Sequence, residues 1–329
     1  MQNIPTIDVS RFDSDNRNER ERVASEIAYA LEEVGFFVIV GHGVQDQKVA
    51  SLVEAARTFF SQPMDVKEKY KPSGSSSINR GYFPPEAETL AVASENGGKR
   101  LPDLKEAFVV GREPVSSNAA ALPGADTAYA PNVWPEGMDD FRRAMTEYYG
   151  ELSILTDRLL KMFAYTLRLP DDYFAPHFAE HPSVLRVINY PARTTPPPKD
   201  QLRAAAHTDF GAITILKEGD TVGGLQVKTK KGEWIDIRSK PGSFVINIGN
   251  VMMRWTNDKW ISNLHRVVNP QSETGWKNNR ISIPYFVHPR PNAEIKCLPT
   301  CVQKGEQPKY TPIQASEFRM QQLNAAQTS

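Results

Sequence analysis

Residues 203–216 read RAAAHTDFGAITIL. The run is apolar and β-leaning, yet a His, a Thr, an Asp and a Gly stand at its centre. In a strand, residues two apart point to the same face. The spacing therefore predicts that His207 and Asp209 share one. A buried carboxylate without a partner is costly. Taken alone, the pair reads most simply as a His–Asp hydrogen bond at a strand end. A metal needs a third ligand, and SNLHRVVNP (262–270) supplies a candidate in His265, 56 residues past Asp209. Two His and one Asp make the facial set typical of non-haem Fe(II), with positions left open for a co-substrate and dioxygen.

A second polar pair follows in NNRISIPYF (278–286), where Arg280 and Ser282 again stand two apart. Arginine is always charged and pairs bidentately with carboxylates. An Arg facing inward with no acid nearby implies an anionic ligand. By itself it reads as a surface ion pair; after H-x-D and the distal His, in that order, the ligand reading prevails.

The composition is that of a core-forming globular chain. Of 329 residues, 40% are hydrophobic and 24% charged, and 39 Lys+Arg balance 39 Asp+Glu. No basic block supports nucleic-acid or membrane-surface binding. The opening MQNIPTIDVS has no leader pattern and no long apolar run follows, so a cytoplasmic protein is expected. Cys297 and Cys301 suggest neither a disulfide framework nor a zinc site. Oligomeric state is not indicated.

Along the chain, IPTIDVS and FFVIV (36–40) read as strands. Val23, Ile27, Ala30, Leu31 and Val34 fall at helical spacing, with Gly35 as a C′ residue. A second helix is expected across QDQKVASLVEAARTFFSQP. The clearest stripe is Phe141, Met145, Tyr148, Leu152, Leu155, Leu159 and Met162, predicting a long helix along the outside of a sheet. Stretches 71–88 and 113–137 are rich in Ser, Gly and Pro and either flank a pocket or merely connect. From Val184 short strands recur with turn signals, as in a sandwich or barrel. KTKKGEW reads as a hairpin tip, TTPPPKD (194–200) as a stiff loop, and IQASEFRMQQLNAA as a last helix. Four parts of one structural unit are expected: 1–112, an N-terminal helical and strand region; 113–180, a connecting loop and support helix; 181–290, the catalytic core; and 291–329, a C-terminal segment and helix.

His207-x-Asp209, His265 and Arg280-x-Ser282 resemble the Fe(II)- and 2-oxoglutarate-dependent oxygenases of the isopenicillin N synthase-like family. EVGFFVIVGHGV, NRGYFPPEAE and PDLKEAFVVGRE are similar to its N-terminal region, and LRVINYPA and NLHRVVNP to its catalytic region. GGLQVK and RWTNDKWISNLHRVV are as similar to the fungal thymine hydroxylase branch as to plant members. The resemblance implies a mainly β chain with flanking helices, its core a double-stranded β-helix (jelly-roll, cupin-like). It implies Fe(II) on His207, Asp209 and His265. It also implies 2-oxoglutarate with its far carboxylate at Arg280 and Ser282, and Tyr190 beside it. The implied reaction consumes dioxygen, releases succinate and CO2, and hydroxylates, desaturates or cyclises a small organic molecule, with ascorbate in support. The family often has Asn where Ile188 stands and Asp where Asn250 stands; the latter reads as structural.

For the prime substrate, strand alternation places Arg186, Ile188 and Tyr190 on one face. Arg186 could hold an anionic or carbonyl-rich substrate, or pair with an acid such as Glu106. Asn79, Tyr82 and Phe108 come from segments that line the mouth in the family. Phe210 reads as pocket wall or core, and Phe286 as core. His42, His177, His181 and His288 read as structural or surface residues. Two alternatives stay open: an oxidase of this fold that needs no 2-oxoglutarate, and a non-catalytic ligand-binding protein on the same scaffold.

Overall fold

The computed structural model describes residues 4–72, 79–87, 101–196, 201–219, 223–270 and 276–328. The proline run expected as a stiff loop lies partly outside them, as do parts of stretch 71–88. In chain order the principal strands are β1 (Thr6–Asp8), β2 (Phe36–Val40), β3 (Gly81–Phe83), β4 (Glu106–Gly111), β5 (Val184–Tyr190) and β6 (Ala204–His207). There follow β7 (Ile213–Glu218), β8 (Leu225–Lys228), β9 (Trp234–Asp236), β10 (Phe244–Ile248), β11 (His265–Val267) and β12 (Arg280–Val287). Eight make one sheet in the order β1-β2-β10-β7-β12-β5-β4-β3, and four make a second, β6-β11-β8-β9. The chain is thus mainly β with flanking helices.

Alternation sorts the large sheet into two faces. Its outer face carries Phe37, Phe108, Leu185, Val187, Ile213, Ile215, Ile246, Ile283 and Tyr285. These pack on three amphipathic helices: α1 (Arg17–Glu33), α2 (Asp46–Phe60) and the long helix Asp139–Thr166. All seven residues of the predicted long stripe are buried there. Gly35 follows α1 with φ +77, the left-handed C′ conformation expected of it. The inner face carries Val38, Val245, Ala107, Ile188 and Tyr190, which pack against Ala204, Leu225, Val227 and Val267 of the small sheet. The core is therefore two layers, one under the helices and one between the sheets.

The strands that carry the expected motif residues border the inner layer. Register is continuous along β5, from Glu106↔Asn189 to Gly111↔Val184 on one side and Arg280↔Tyr190 to Phe286↔Val184 on the other. No bulge interrupts the parity of Arg186, Ile188 and Tyr190. On β7, Thr214 stands opposite Phe286 and Glu218 opposite Ser282. These two inward residues are four apart, about 13 Å of strand. No helix among the described residues is long and apolar enough to cross a membrane.

Candidate metal and co-substrate site

β6 and β11 are paired with His207 opposite His265, so the two rings face each other at 4.3 Å between centroids. β6 ends at His207. Asp209 therefore lies in the following turn, not on the strand, which corrects the expectation that strand period sets its direction. The turn is held instead by its neighbours. Asn250 N–H donates to Asp209 O at 2.8 Å, and Gly249 packs so closely that a Cβ there would lie 2.3 Å from Gly211 O. The Asn250 side-chain amide donates to Thr208 Oγ1 and to Gln322 Oε1. A carboxylate at 250 could donate to neither, so the Asn is structural, as expected.

The outcome is a cluster in which one ligand atom each from His207, Asp209 and His265 lies within 4.8 Å of the others. Both imidazole Nε2 atoms approach Asp209 Oδ1, at 3.8 Å from His207 and 3.7 Å from His265. The remaining heteroatoms are already occupied. His207 Nδ1 lies 2.7 Å from Ala205 O and His265 Nδ1 3.1 Å from Asn263 O. Those carbonyls can only accept, so each Nδ1 carries a proton, and in the neutral ring that tautomer leaves the Nε2 lone pair free for a metal. Asp209 Oδ2 accepts from Thr214 Oγ1 at 2.5 Å and Asn247 Nδ2 at 2.7 Å, leaving Oδ1 toward the rings. Burial, and then the facing His265, push His207 down to about 3, so the ring stays neutral. Burial pushes the Asp209 carboxyl upward, but the two rings and its two hydrogen bonds outweigh that and hold it below its ordinary value. An ionised Asp209 carboxylate and a neutral His207 ring are the states in which these two groups bind a divalent cation.

At the other end of the inner face, Arg280 is buried beneath Tyr190, its guanidinium carbon 5.1 Å from the ring centroid. Arg203 lies over the same ring at 5.4 Å. The premise that Arg280 has no acid nearby is corrected: its Nη2 donates to Glu218 Oε1 at 3.0 Å. Glu218 in turn accepts from Ser239 Oγ and from Gly223 N–H. The ion pair uses only one of three nitrogens. Nε and Nη1 of Arg280 are buried without a hydrogen-bond partner among the described residues. Buried polar atoms are nearly always paired, so two orphans on one guanidinium mark a place for an acceptor. Ser282 lies buried on the same face of β12.

The expected substrate residues separate by parity. Arg186 lies on the inner face, its guanidinium 5.4 Å from the Phe83 ring centroid. Glu106 is excluded as its partner, because it points to the outer face and holds Lys67 Nζ, Tyr82 Oη and Asn189 Nδ2. Ile188 is inner core. Tyr82 and Phe108 are corrections: both are fully buried on the outer face around Phe59, away from the mouth. Phe286 also differs from expectation. It is half-buried on the inner face opposite Thr214 rather than in the core. Asn79 is half-buried, with its Oδ1 lacking a hydrogen-bond partner among the described residues. Phe210 is half-buried beside the Asp209 turn. Sequence reasoning missed Thr214, Asn247 and Glu218; a lone Asn inside FVINI was the signal for the second.

Comparison with known proteins agrees with this geometry. Residues 4–137 match the N-terminal family of non-haem dioxygenases in morphine synthesis, and residues 182–289 the 2OG-Fe(II) oxygenase superfamily. A 2-oxoglutarate-Fe(II) type oxidoreductase, hxnY, of Emericella nidulans is 33% identical over 323 residues, covering 95% of this chain and 87% of that protein. The proline hydroxylase buaE of Petromyces alliaceus is 32% identical, covering 93% and 94% respectively. A full-length Neurospora crassa protein crystallised in complex with alpha-KG (2-oxoglutarate) superimposes with a TM-score of 0.85 at 28% identity, over 98% of this chain and 96% of that one. The same Neurospora protein has also been solved with alpha-KG and thymine. With the motif order, the inner-face geometry and this near-full-length similarity together, the chain belongs to the 2OG-Fe(II) oxygenase superfamily and is a non-haem Fe(II)- and 2-oxoglutarate-dependent dioxygenase.

Proposed function

We propose that His207, Asp209 and His265 hold the Fe(II), and that Arg280, with Ser282 and Tyr190 beside it, receives the far carboxylate of 2-oxoglutarate. Both lie inside a double-stranded β-helix core formed by the two sheets. The observation that carries the reading is the convergence of two Nε2 atoms and Oδ1 with every competing heteroatom already bonded. When bound, the metal with 2-oxoglutarate and dioxygen supplies the oxidising power to break a substrate C–H bond, with succinate and CO2 released. The residues' work is placement. Ala205 O and Asn263 O fix the ring tautomers, Thr214 and Asn247 aim the carboxylate, and Glu218 orients the guanidinium. Arg186, with Ile188, Asn79 and Phe210, faces a small organic substrate carrying an anionic or carbonyl group. The relatives support a small substrate: one is a proline hydroxylase, and the Neurospora protein was solved with thymine.

The test is a screen of small molecules with Fe(II), ascorbate and 2-oxoglutarate, read by mass spectrometry. A product heavier by one oxygen or lighter by two hydrogens, with stoichiometric succinate, is expected. In the same assay Arg186→Met raises KM or uncouples succinate release from product. Product formation without 2-oxoglutarate, or an Arg186→Met enzyme as well coupled as the parent, counts against the assignment.

A further inference from the structure

The C-terminal helix, Ala315–Thr328, lies against the turn that carries Asp209. Ala315, Arg319 and Gln322 are spaced i, i+4, i+7, so they share one helical face. Two of the three contacts on that face are fixed. Ala315 is buried, and its N–H donates to Ala293 O at 2.9 Å. Gln322 accepts from Asn250 Nδ2 at 2.6 Å and donates to Phe210 O at 3.3 Å. Arg319 lies between them on this face.

It enters a cavity of about 80 Å³ whose other walls include Gly124, Thr127, Ala128, Phe210 and His288. That volume suits a carboxylate-sized group. Among the described residues no Asp or Glu lines the cavity, and Arg319 and His288 are its only ionisable side chains. Arg319 makes no hydrogen bond or ion pair among the described residues, and burial lowers its pKa. Arg80, behind the wall, is engaged by the carbonyls of Asn79, Ala128 and Ala130 and adds a second positive charge nearby. The His288 ring packs beside Gly211, two residues from Asp209, and its nitrogens have no partner among the described residues. Burial, and then the neighbouring Arg319 charge, push His288 down to about 3, so the ring is neutral and adds a hydrogen-bonding edge rather than charge.

Arg319 is half-buried; a guanidinium that has lost part of its hydration without gaining a counter-ion is disfavoured, and an anion beside it offsets that cost. We propose that Arg319 and His288 form a recognition subsite for a carboxylate of the prime substrate, closed by the C-terminal helix. The substrate is then an organic acid, its carboxylate at Arg319 and its reacting carbon beyond Phe210 on the metal side. This rests on the assignment of the metal and 2-oxoglutarate sites given above. The helix, by way of Gln322, joins substrate recognition to the turn that carries a metal ligand.

The experiment pairs small carboxylic acids with their primary amides and measures stimulation of succinate release over the substrate-free rate. Wild-type enzyme should be stimulated by acids and not by the matching amides. Arg319→Met should raise the KM for the stimulating acid at least about tenfold and erase the preference for acid over amide. Arg319→Lys should restore part of it, and thermal melts of both variants identify any folding defect. Equal stimulation by acids and amides, stimulation by amides alone, or an unchanged KM in Arg319→Met overturns the subsite. No Fe(II)- and 2-oxoglutarate-dependent succinate release by wild-type enzyme would instead strike the site assignment on which the subsite rests.

Discussion

The two ends of the inner layer satisfy their polar groups in opposite ways. At the metal end each ligand spends its second heteroatom on the protein and offers the first: Nδ1 of His207 and His265 on carbonyls, Oδ2 of Asp209 on Thr214 and Asn247. At the arginine end a buried guanidinium has one bond to Glu218 and two orphaned nitrogens. The first end is finished before its ligand arrives. The second, on the proposed assignment, is finished by its ligand. A preorganised site loses function when a part is removed, whereas a site completed by ligand loses affinity for that ligand first.

That contrast can be broken by mutation. The largest effect belongs to His265→Ala, which takes one of three ligand atoms from the cluster. Iron retention after dialysis and turnover should both vanish; a variant that kept full turnover would exclude His265 as a ligand. Next is Arg280→Ala. Removing a buried charge-assisted pair costs about 2–5 kcal/mol, so calorimetry should show 2-oxoglutarate binding weakened more than tenfold, with metal content unchanged. If metal content falls in parallel, the two ends are not separable.

Asn247→Leu sharpens the contrast without touching a ligand. It deletes one of the two bonds that aim Asp209. A loss of about 10–100-fold in metal affinity is expected, read by competition with a chelating dye, while Arg280-dependent binding of 2-oxoglutarate changes little. The smallest effect is on acid stability and involves neither end. His181 is pushed down to about 3 by burial, and then by Arg112. Its ring bonds Ser153 and Ser183. The unfolded chain takes up a proton near 6.5, which the folded chain refuses until about 3. The contribution is therefore complete above pH 6.5 and is lost as pH falls from there, by up to about 1.4 kcal/mol per pH unit. In His181→Gln that share of the slope should disappear from urea melts between pH 6.5 and 4.

The motif residues were legible because their chemistry is rare in apolar strands. His207, Asp209, His265, Arg280 and Ser282 stood out as polar groups in β-like runs, and the structure brings the first three together. The long helix was legible from period alone. What failed was anything that depended on a neighbour in space. Tyr82 and Phe108 were placed by likeness of segment, yet the parity of β3 and β4 turns them onto the helices. Glu218 lies 62 residues from Arg280, and only the β7–β12 register brings them together.

Strand β7 touches both ends, with Thr214 on the metal-binding carboxylate and Glu218 on the arginine. It therefore works as a ruler. If the 2-oxo acid is held at the metal and at Arg280 as proposed, four residues of extended backbone set how far apart its two anchoring points can be, and a strand cannot stretch to suit a longer or shorter acid. A homologue taking a different 2-oxo acid should differ on β7 or its partners before it differs at the metal. A single-residue insertion between 214 and 218 would not merely lengthen the ruler. It would turn Glu218 to the helix side of the sheet and leave Arg280 without its carboxylate partner.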